Sequence, residues 1–456
     1  MNDLTRGPVV RHLISLAVPI AIGMAFQTLY VMVDLYFVGH IGDAAVAGLA
    51  TAGNLQFIVL ALTQGLGVGI MALVARAVGR GDRIDANRVF NQGLQIAALC
   101  GAATLVAGYL GAGPYLRVIA ADDATRAAGT TYLYWFLPGM ALQFALIAMG
   151  SALRGVGVAR PGMLVQIGTV ALNAVLAPVF VAGWLTGEPM GIAGAGLASS
   201  ISIAIGVVWM AACFARQETY LRVDAGCRRP HAQTWKRILR VGLPPGGEFL
   251  LLFAFLALMY AVVRPFGAAA QAGFGIGSRL NQAVLLPAMA VAFAVAPLAG
   301  QNIGANRLDR AREAFAAAAL IGSTIMIGLT LLCQWKPEAM MRVFTTDPDV
   351  VAFGAGYLHV STWTFVAQCI IFSCSGMFQA FGRTLPSLGA SAARLVAFAL
   401  PLGWVSAQGG FSPEDVWRLA LAAVTAQMCL SAWMLRLALA REAASLGVLS
   451  RRWAPA

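Results

Sequence analysis

Asp34 is the residue whose type and place point most directly to chemistry. It stands in the run Tyr30-Val31-Met32-Val33-Asp34-Leu35-Tyr36-Phe37-Val38-Gly39, about one turn before the end of a long apolar stretch. An ionised carboxylate is costly inside a bilayer, which makes proton binding its expected chemistry. Gln27, Tyr30 and Asp34 recur at i, i+3 and i+7, so a helix through them puts all three on one face. The competing reading is an Asp that merely reaches the outer headgroups. Intramembrane acids usually face a pathway, which favours the first reading.

A second polar stripe, Gln166, Thr169 and Asn173, has the same spacing, and Pro178 follows Asn173 closely enough to predict a helix interruption. These residues either belong to a site or hydrogen-bond neighbouring helices. Glu248 follows Pro244-Pro245-Gly246-Gly247 by one residue; it is either a second carboxylate in a cavity or an acid favoured near a helix start. Arg279 pairs with it or meets a lipid headgroup. His12, His40, His231 and His359 are too scattered to hold one metal, and the seven cysteines lack paired spacing. The run Gly65-Leu66-Gly67-Val68-Gly69 has no preceding strand and no phosphate-binding lysine, so it reads as a tight helix crossing rather than a nucleotide loop. There is no P-loop, HExxH or GxSxG, hence no enzyme is expected, no cofactor is implied, and active transport must draw on an ion gradient.

The elements that carry these residues follow from composition. The 456 residues are 59% hydrophobic and 11% charged, with mean hydropathy +0.77; a soluble fold of this length cannot hide that much apolar surface. Twelve spans are expected, near 12–38, 46–75, 89–110, 131–153, 162–184, 191–214, 242–263, 272–303, 314–335, 355–380, 385–405 and 416–440. The first is too long for a signal-peptide core and reads as retained. With the N-terminus in the cytoplasm, twenty-three of the 31 Lys and Arg fall on the cytoplasmic side and six on the other, leaving Arg279 and Arg394 within spans. The net charge of +12 is then a topology signal and needs no nucleic-acid partner.

Residues 19–203 lie over 244–428 at a constant shift of 225: Pro19 on Pro244, Gly42 on Gly267, Gly79 on Gly304, Phe90 on Phe315, Gly157 on Gly382 and Pro161 on Pro386. Each half holds six spans, so the expected class is an all-α integral membrane protein of two six-helix bundles, related by a pseudo-two-fold axis along the membrane normal. The expected domains are 1–214, a solvated cytoplasmic linker 215–240, and 241–456. Two homologous membrane bundles suggest alternating access around a site between them. At the 225 shift Asp34 meets Met259 and Asn173 meets Phe398, which places the coupling site in the first half.

The stretch Pro19…Gln27-Thr28-Leu29-Tyr30-Val31-Met32-Val33-Asp34…Gly39-His40-Ile41-Gly42 resembles the first helix of the multidrug and toxic compound extrusion (MATE) family. Residues 65–82 look like its second helix and following loop, and the run from Arg279 through Pro287 and Pro297 to Ala305 is similar to its eighth helix. The resemblance covers nearly the whole chain and is closer to the DinF-like than to the NorM-like branch. It implies a V-shaped pair of lobes that export organic, often cationic, compounds against uptake of H+ or Na+. By the same resemblance Asp34 is the coupling acid, Pro19 the bending proline, Asn173 the fifth-helix asparagine and Ser199 a sixth-helix hydroxyl. The chain departs from the DinF-like pattern at Ala177, where that branch often has an aspartate, and from the NorM-like pattern in its tenth span, which has no acid.

A lone Asp34 suits one proton better than Na+, which prefers several hard oxygens; Na+ at Asp34 and Asn173 remains the rival. The expectation is therefore a bacterial inner-membrane antiporter with cytoplasmic termini, a monomer that exports apolar organic cations for H+. The alternatives are a flippase for a lipid-linked saccharide and, more remotely, a channel or scaffold.

Overall fold

Without water in a bilayer core, backbone polar groups must be satisfied within the chain, and apolar runs of this length do so as helices. The structure is a computed structural model and describes residues 3–120, 122–184, 187–216, 220–224, 229–405 and 412–445. Among these residues there are fourteen α-helices and no strand: α1 (Val9–Gly39), α2 (Asp43–Gly79), α3 (Arg83–Ile119), α4 (Asp123–Gly155), α5 (Arg160–Val181), α6 (Ile192–Arg216), α7 (Ala232–Val263), α8 (Ala268–Gly304), α9 (Leu308–Trp335), α10 (Pro337–Arg342), α11 (Pro348–Ser361), α12 (Phe365–Ala380), α13 (Leu385–Val405) and α14 (Pro413–Ser445). Twelve segments are long and apolar enough to cross a membrane; α11, the 3-10 turn Thr362–Thr364 and α12 together make one of them. The helices overrun the apolar windows because capped polar turns extend them. Asp82 accepts the Asp85 N–H at 2.9 Å to open α3, and Asp122 accepts the Thr125 N–H at 2.6 Å to open α4.

Pro178 and Pro138 both lie inside helices. Pro178 does not interrupt α5, which continues to Val181; the freed end is closed when Ala182 and Trp184 both donate to the Pro178 carbonyl. Pro138 sits inside α4 and leaves the Tyr134 carbonyl without its helical donor. The Tyr109 hydroxyl donates to that carbonyl at 3.0 Å. One residue on, Ser200 inserts into the ladder, donating to the Trp135 carbonyl at 2.6 Å and accepting the Gly139 N–H at 3.1 Å.

The chain packs as two compact units, one of residues 22–246 and one of residues 4–21 with the described residues from 247 onward. These boundaries differ from 1–214, 215–240 and 241–456, because α1 and α7 each divide between units. The cause is side-chain anchoring of the segments that precede them. Ahead of α1, Asn302 donates to the Leu4 carbonyl at 3.2 Å, Arg307 to Thr5 at 2.8 Å and Arg310 to Gly7 at 2.7 Å.

Ahead of α7, the described part of 215–240 is a strap on α3 rather than a solvated linker; residues 217–219 and 225–228 lie outside the described residues. Asn87 donates to the Tyr220 carbonyl at 3.3 Å and accepts the Arg222 N–H at 2.6 Å. Asn91 donates to Arg222 and accepts from Asp224, both at 2.9 Å. Gln92 donates to Arg229 at 2.9 Å and accepts the His231 N–H at 2.8 Å and the Trp235 indole N–H at 2.7 Å. Three side-chain amides thus supply the two-way bonding that a neighbouring strand supplies elsewhere. Asp85, bonded to both Arg80 and Arg237, fastens the first turns of α7 to the same place.

The glycine run of α2 meets two neighbours on two faces. A Cβ on Gly65 would lie 2.7 Å from the Gly242 carbonyl oxygen of α7, and one on Gly67 would lie 2.6 Å from the Ser151 hydroxyl of α4. Small residues let backbones approach this closely where lipid offers no hydrophobic drive between helices. Gly65→Val and Gly242→Val should therefore each destabilise the protein by about 1–3 kcal/mol in a detergent melt. Gly111→Ala, whose added carbon meets nothing within 4 Å, should leave the melt unchanged or raise it.

Candidate functional site

Asp34 lies on α1 inside the first unit, 6% exposed, and its two carboxylate oxygens are met from two other helices. Asn173 Nδ2 on α5 donates to Oδ1 at 3.1 Å, and Ser199 Oγ on α6 donates to Oδ2 at 3.1 Å. Asn173 Nδ2 also donates to Ser199 Oγ at 3.0 Å, which closes a triangle. Asn173 and Ser199 are fully buried. An ionised carboxylate only accepts, so both donors are the correct complement to its charged form. Among the described residues no Lys or Arg forms an ion pair with Asp34.

The packing of α6 brings Ser199 to this point. Its small-residue run, Gly194 to Ser200, packs closely on two neighbours: a Cβ on Gly194 would sit 2.5 Å from the Phe180 carbonyl of α5, and one on Gly196 2.7 Å from the Tyr132 carbonyl oxygen of α4. Farther along α6, a Cβ on Gly206 would lie 2.5 Å from the Thr169 methyl. Thr169 itself stays out of the triangle, because its hydroxyl donates to the Gln166 carbonyl of its own helix at 2.8 Å.

Two buried polar atoms at the triangle have no hydrogen-bond partner, Asn173 Oδ1 and the Tyr30 hydroxyl. Tyr30 lies within electrostatic reach of Asp34 and beside Ser199 and Asn173. Gln27, expected on the same face, is exposed. Pro19 lies within an unbroken α1, and that helix passes from one unit to the other between Ala21 and Ile22, less than a turn beyond it.

In the second unit, Glu248 takes a different set of partners from those expected. Ser375 on α12 donates to Oε2 at 3.3 Å, while Ser387 and Gln379 donate to Ser375 at 2.9 and 3.4 Å. Glu248 Oε1 is buried without a partner. Arg279 is exposed and forms no ion pair with Glu248; the cation whose charge reaches Glu248 is Arg394 of α13. Arg394 lies over the Phe255 ring at 4.7 Å, so its charge is partly met by the ring face. Ser200, Ser375, Ser387 and Arg394 were not singled out from sequence as partners. For Ser375 the available signal was its i, i+4 spacing with Gln379 on α12.

Twelve apolar helices, duplicated halves and an intramembrane carboxylate held by neutral donors define a polytopic membrane protein of the transporter class. The MatE family model matches residues 19–179 and 244–405, once in each half of the repeat, and the chain belongs to that family. The probable multidrug resistance protein YpnP of Bacillus subtilis is 27% identical over 393 residues, covering 85% of this chain and 86% of the relative. A protein of Shewanella oneidensis named FAD transporter is 22% identical over 402 residues, covering 88% and 89%. A solved outward-facing multidrug resistance MATE transporter superposes with a TM-score of 0.89 at 22% identity, over 96% of this chain and 98% of that one, a likeness of fold.

Ser199→Ala removes one of the two donors to Asp34. A hydrogen bond to an ionised partner contributes about 1.5–3 kcal/mol and a neutral one less. The variant should therefore lose more melting stability in alkaline buffer, where Asp34 is ionised, than in acidic buffer. Equal losses in both buffers would mean that the bond does not depend on the charge.

Proposed function

We propose that this protein is a secondary active antiporter that exports organic, chiefly apolar cationic, compounds in exchange for H+, with Asp34 as the coupling group. The observation that carries the reading is a single buried carboxylate shared by three helices and complemented by neutral donors alone. A proton on Asp34 adds a donor and removes the charge, so the bonds from Asn173 and Ser199 weaken and the new O–H needs an acceptor of its own. Asn173 Oδ1 and the Tyr30 hydroxyl, both unpartnered, are the acceptors available to the new O–H. Protonation in this scheme rearranges the α1–α5–α6 contact and removes the negative charge that holds a cation, so substrate and proton exclude each other. Met- and Phe-rich helices suit a pocket for varied apolar compounds, and relatives named for multidrug resistance support that substrate class.

A second reading keeps the exporter and exchanges the ion. Asn173 Oδ1, Tyr30 and the Asp34 carboxylate offer several oxygens in one buried place, the donor type Na+ prefers. One carboxylate and no second acid in the triangle favour H+. The excess of basic residues at one end of the spans supports cytoplasmic termini in a bacterial inner membrane, and the functional unit is proposed to be a monomer.

Efflux of a fluorescent cation such as ethidium from proteoliposomes tests this directly, with pH and Na+ gradients imposed separately. The pH gradient alone should drive efflux in the wild type, and Asp34→Asn should abolish it. Transport driven only by Na+ would replace the ion, and a normal Asp34→Asn would sink the mechanism. Flavin adenine dinucleotide belongs in the same assay, since movement of that anion but no cation would overturn the substrate class.

A further inference from the structure

The first half of α7 carries an open basic recess that neither the family nor the coupling triangle accounts for. Ala232, Trp235, Lys236, Leu239, Arg240 and Leu243 line a shallow space of about 540 Å³. Lys236 and Arg240 are one turn apart, so both charges face the same way, and both side chains are exposed. Neither forms an ion pair among the described residues, although Arg237 beside them is taken by Asp85 through two bonds at 2.9 and 3.0 Å. The acid available on α3 thus goes to Arg237, and the recess keeps two cations that no described acid pairs with.

One wall of the recess is anchored. The Trp235 indole is held by its 2.7 Å bond to Gln92 Oε1, the same oxygen that receives the His231 N–H of the strap. Farther along the face the character changes from basic to apolar. Leu239 is 38% and Leu243 61% exposed, and beyond Arg240 the helix carries no basic residue until Arg264. Lys236 and Arg240 therefore stand where a spanning helix leaves the hydrocarbon, with an indole at the same level, the arrangement expected at a membrane interface.

We propose that this recess binds one anionic phospholipid, with the phosphate between Lys236 and Arg240 and the acyl chains along Leu239 and Leu243. A free phosphate would use the two cations but leave the leucine face bare. A phospholipid covers both and matches the charge. A lipid so held would bear on the foot of α7 where the strap fastens it to α3, which makes the leaflet's composition an input to the first unit.

Native mass spectrometry of the delipidated full chain tests this by titration with phosphatidylglycerol, phosphatidylcholine of the same chains, and glycerol phosphate. One phosphatidylglycerol should bind more tightly than phosphatidylcholine. Each cation near a membrane surface contributes about five-fold, so Lys236→Gln/Arg240→Gln should weaken binding roughly twenty-five-fold. The charge-preserving pair Lys236→Arg/Arg240→Lys should stay near wild type, as should Arg11→Gln/Arg441→Gln, which removes two exposed cations elsewhere. A melt of each variant without lipid checks folding. Equal affinity of the Gln pair and wild type, equal binding of the two lipids, or equal competition by glycerol phosphate would each overturn the proposal.

Discussion

Every polar group that this chain carries into an apolar solvent must find its partner within the protein, and that constraint governs the structure at every level. At the backbone it selects helices. Where proline removes a donor inside α4, the rule reappears as side-chain repair: Tyr109 serves the Tyr134 carbonyl and Ser200 bridges Trp135 and Gly139. At the triangle of Asp34, Asn173 and Ser199 it sets the composition of the cluster, since Asp34 is supplied with as many neutral donors as it has oxygens. Asn173 Oδ1 and the Tyr30 hydroxyl are among the buried side-chain atoms left without a partner. An unsatisfied buried group is costly, and these two sit beside Asp34, a carboxylate whose protonation would create a new donor.

The same constraint explains how the two units are tied together by chain. Both polypeptide segments that lead into a divided helix are held by side chains, α1 from Asn302, Arg307 and Arg310, and α7 from Asn87, Asn91 and Gln92. Each anchored foot belongs to one unit while the rest of its helix belongs to the other. The points of division lie just past prolines: Ala21 and Ile22 follow Pro19, and Gly246 and Gly247 follow Pro244 and Pro245.

Duplication of the fold did not duplicate the chemistry. The first unit holds a carboxylate among neutral amide and hydroxyl donors, whereas the second holds Glu248 with a serine relay and a nearby guanidinium. The backbone anchors of the repeat, prolines and glycines, survive at constant spacing because helix bends and close contacts tolerate few substitutes. Polar side chains inside the spans carry no such packing obligation, so the two halves diverge there.

The sequence by itself determined the solvent and the number of spans, and it drew attention to Asp34. Long apolar runs separated by breakers admit no other reading, and an Asp inside one of them is conspicuous by type alone. The edges were less legible: α3 runs over Arg83–Ile119 where 89–110 was expected, because caps and polar turns lengthen a helix without adding hydropathy. Residues 215–240 looked solvated because they are polar, and only the fold shows that Asn87, Asn91 and Gln92 receive the backbone of that segment. Likewise Pro178 looked like a break until the carbonyls around it were seen to be satisfied. Tertiary structure alone decided which groups meet. Asn173 and Ser199 are 139 and 165 residues from Asp34 along the chain, and Arg394 rather than Arg279 is the cation near Glu248. Periodicity assigns a residue to a face of its own helix, but the neighbour across that face depends on crossings set by glycine contacts such as Gly65 with Gly242, and those form only when distant segments pack.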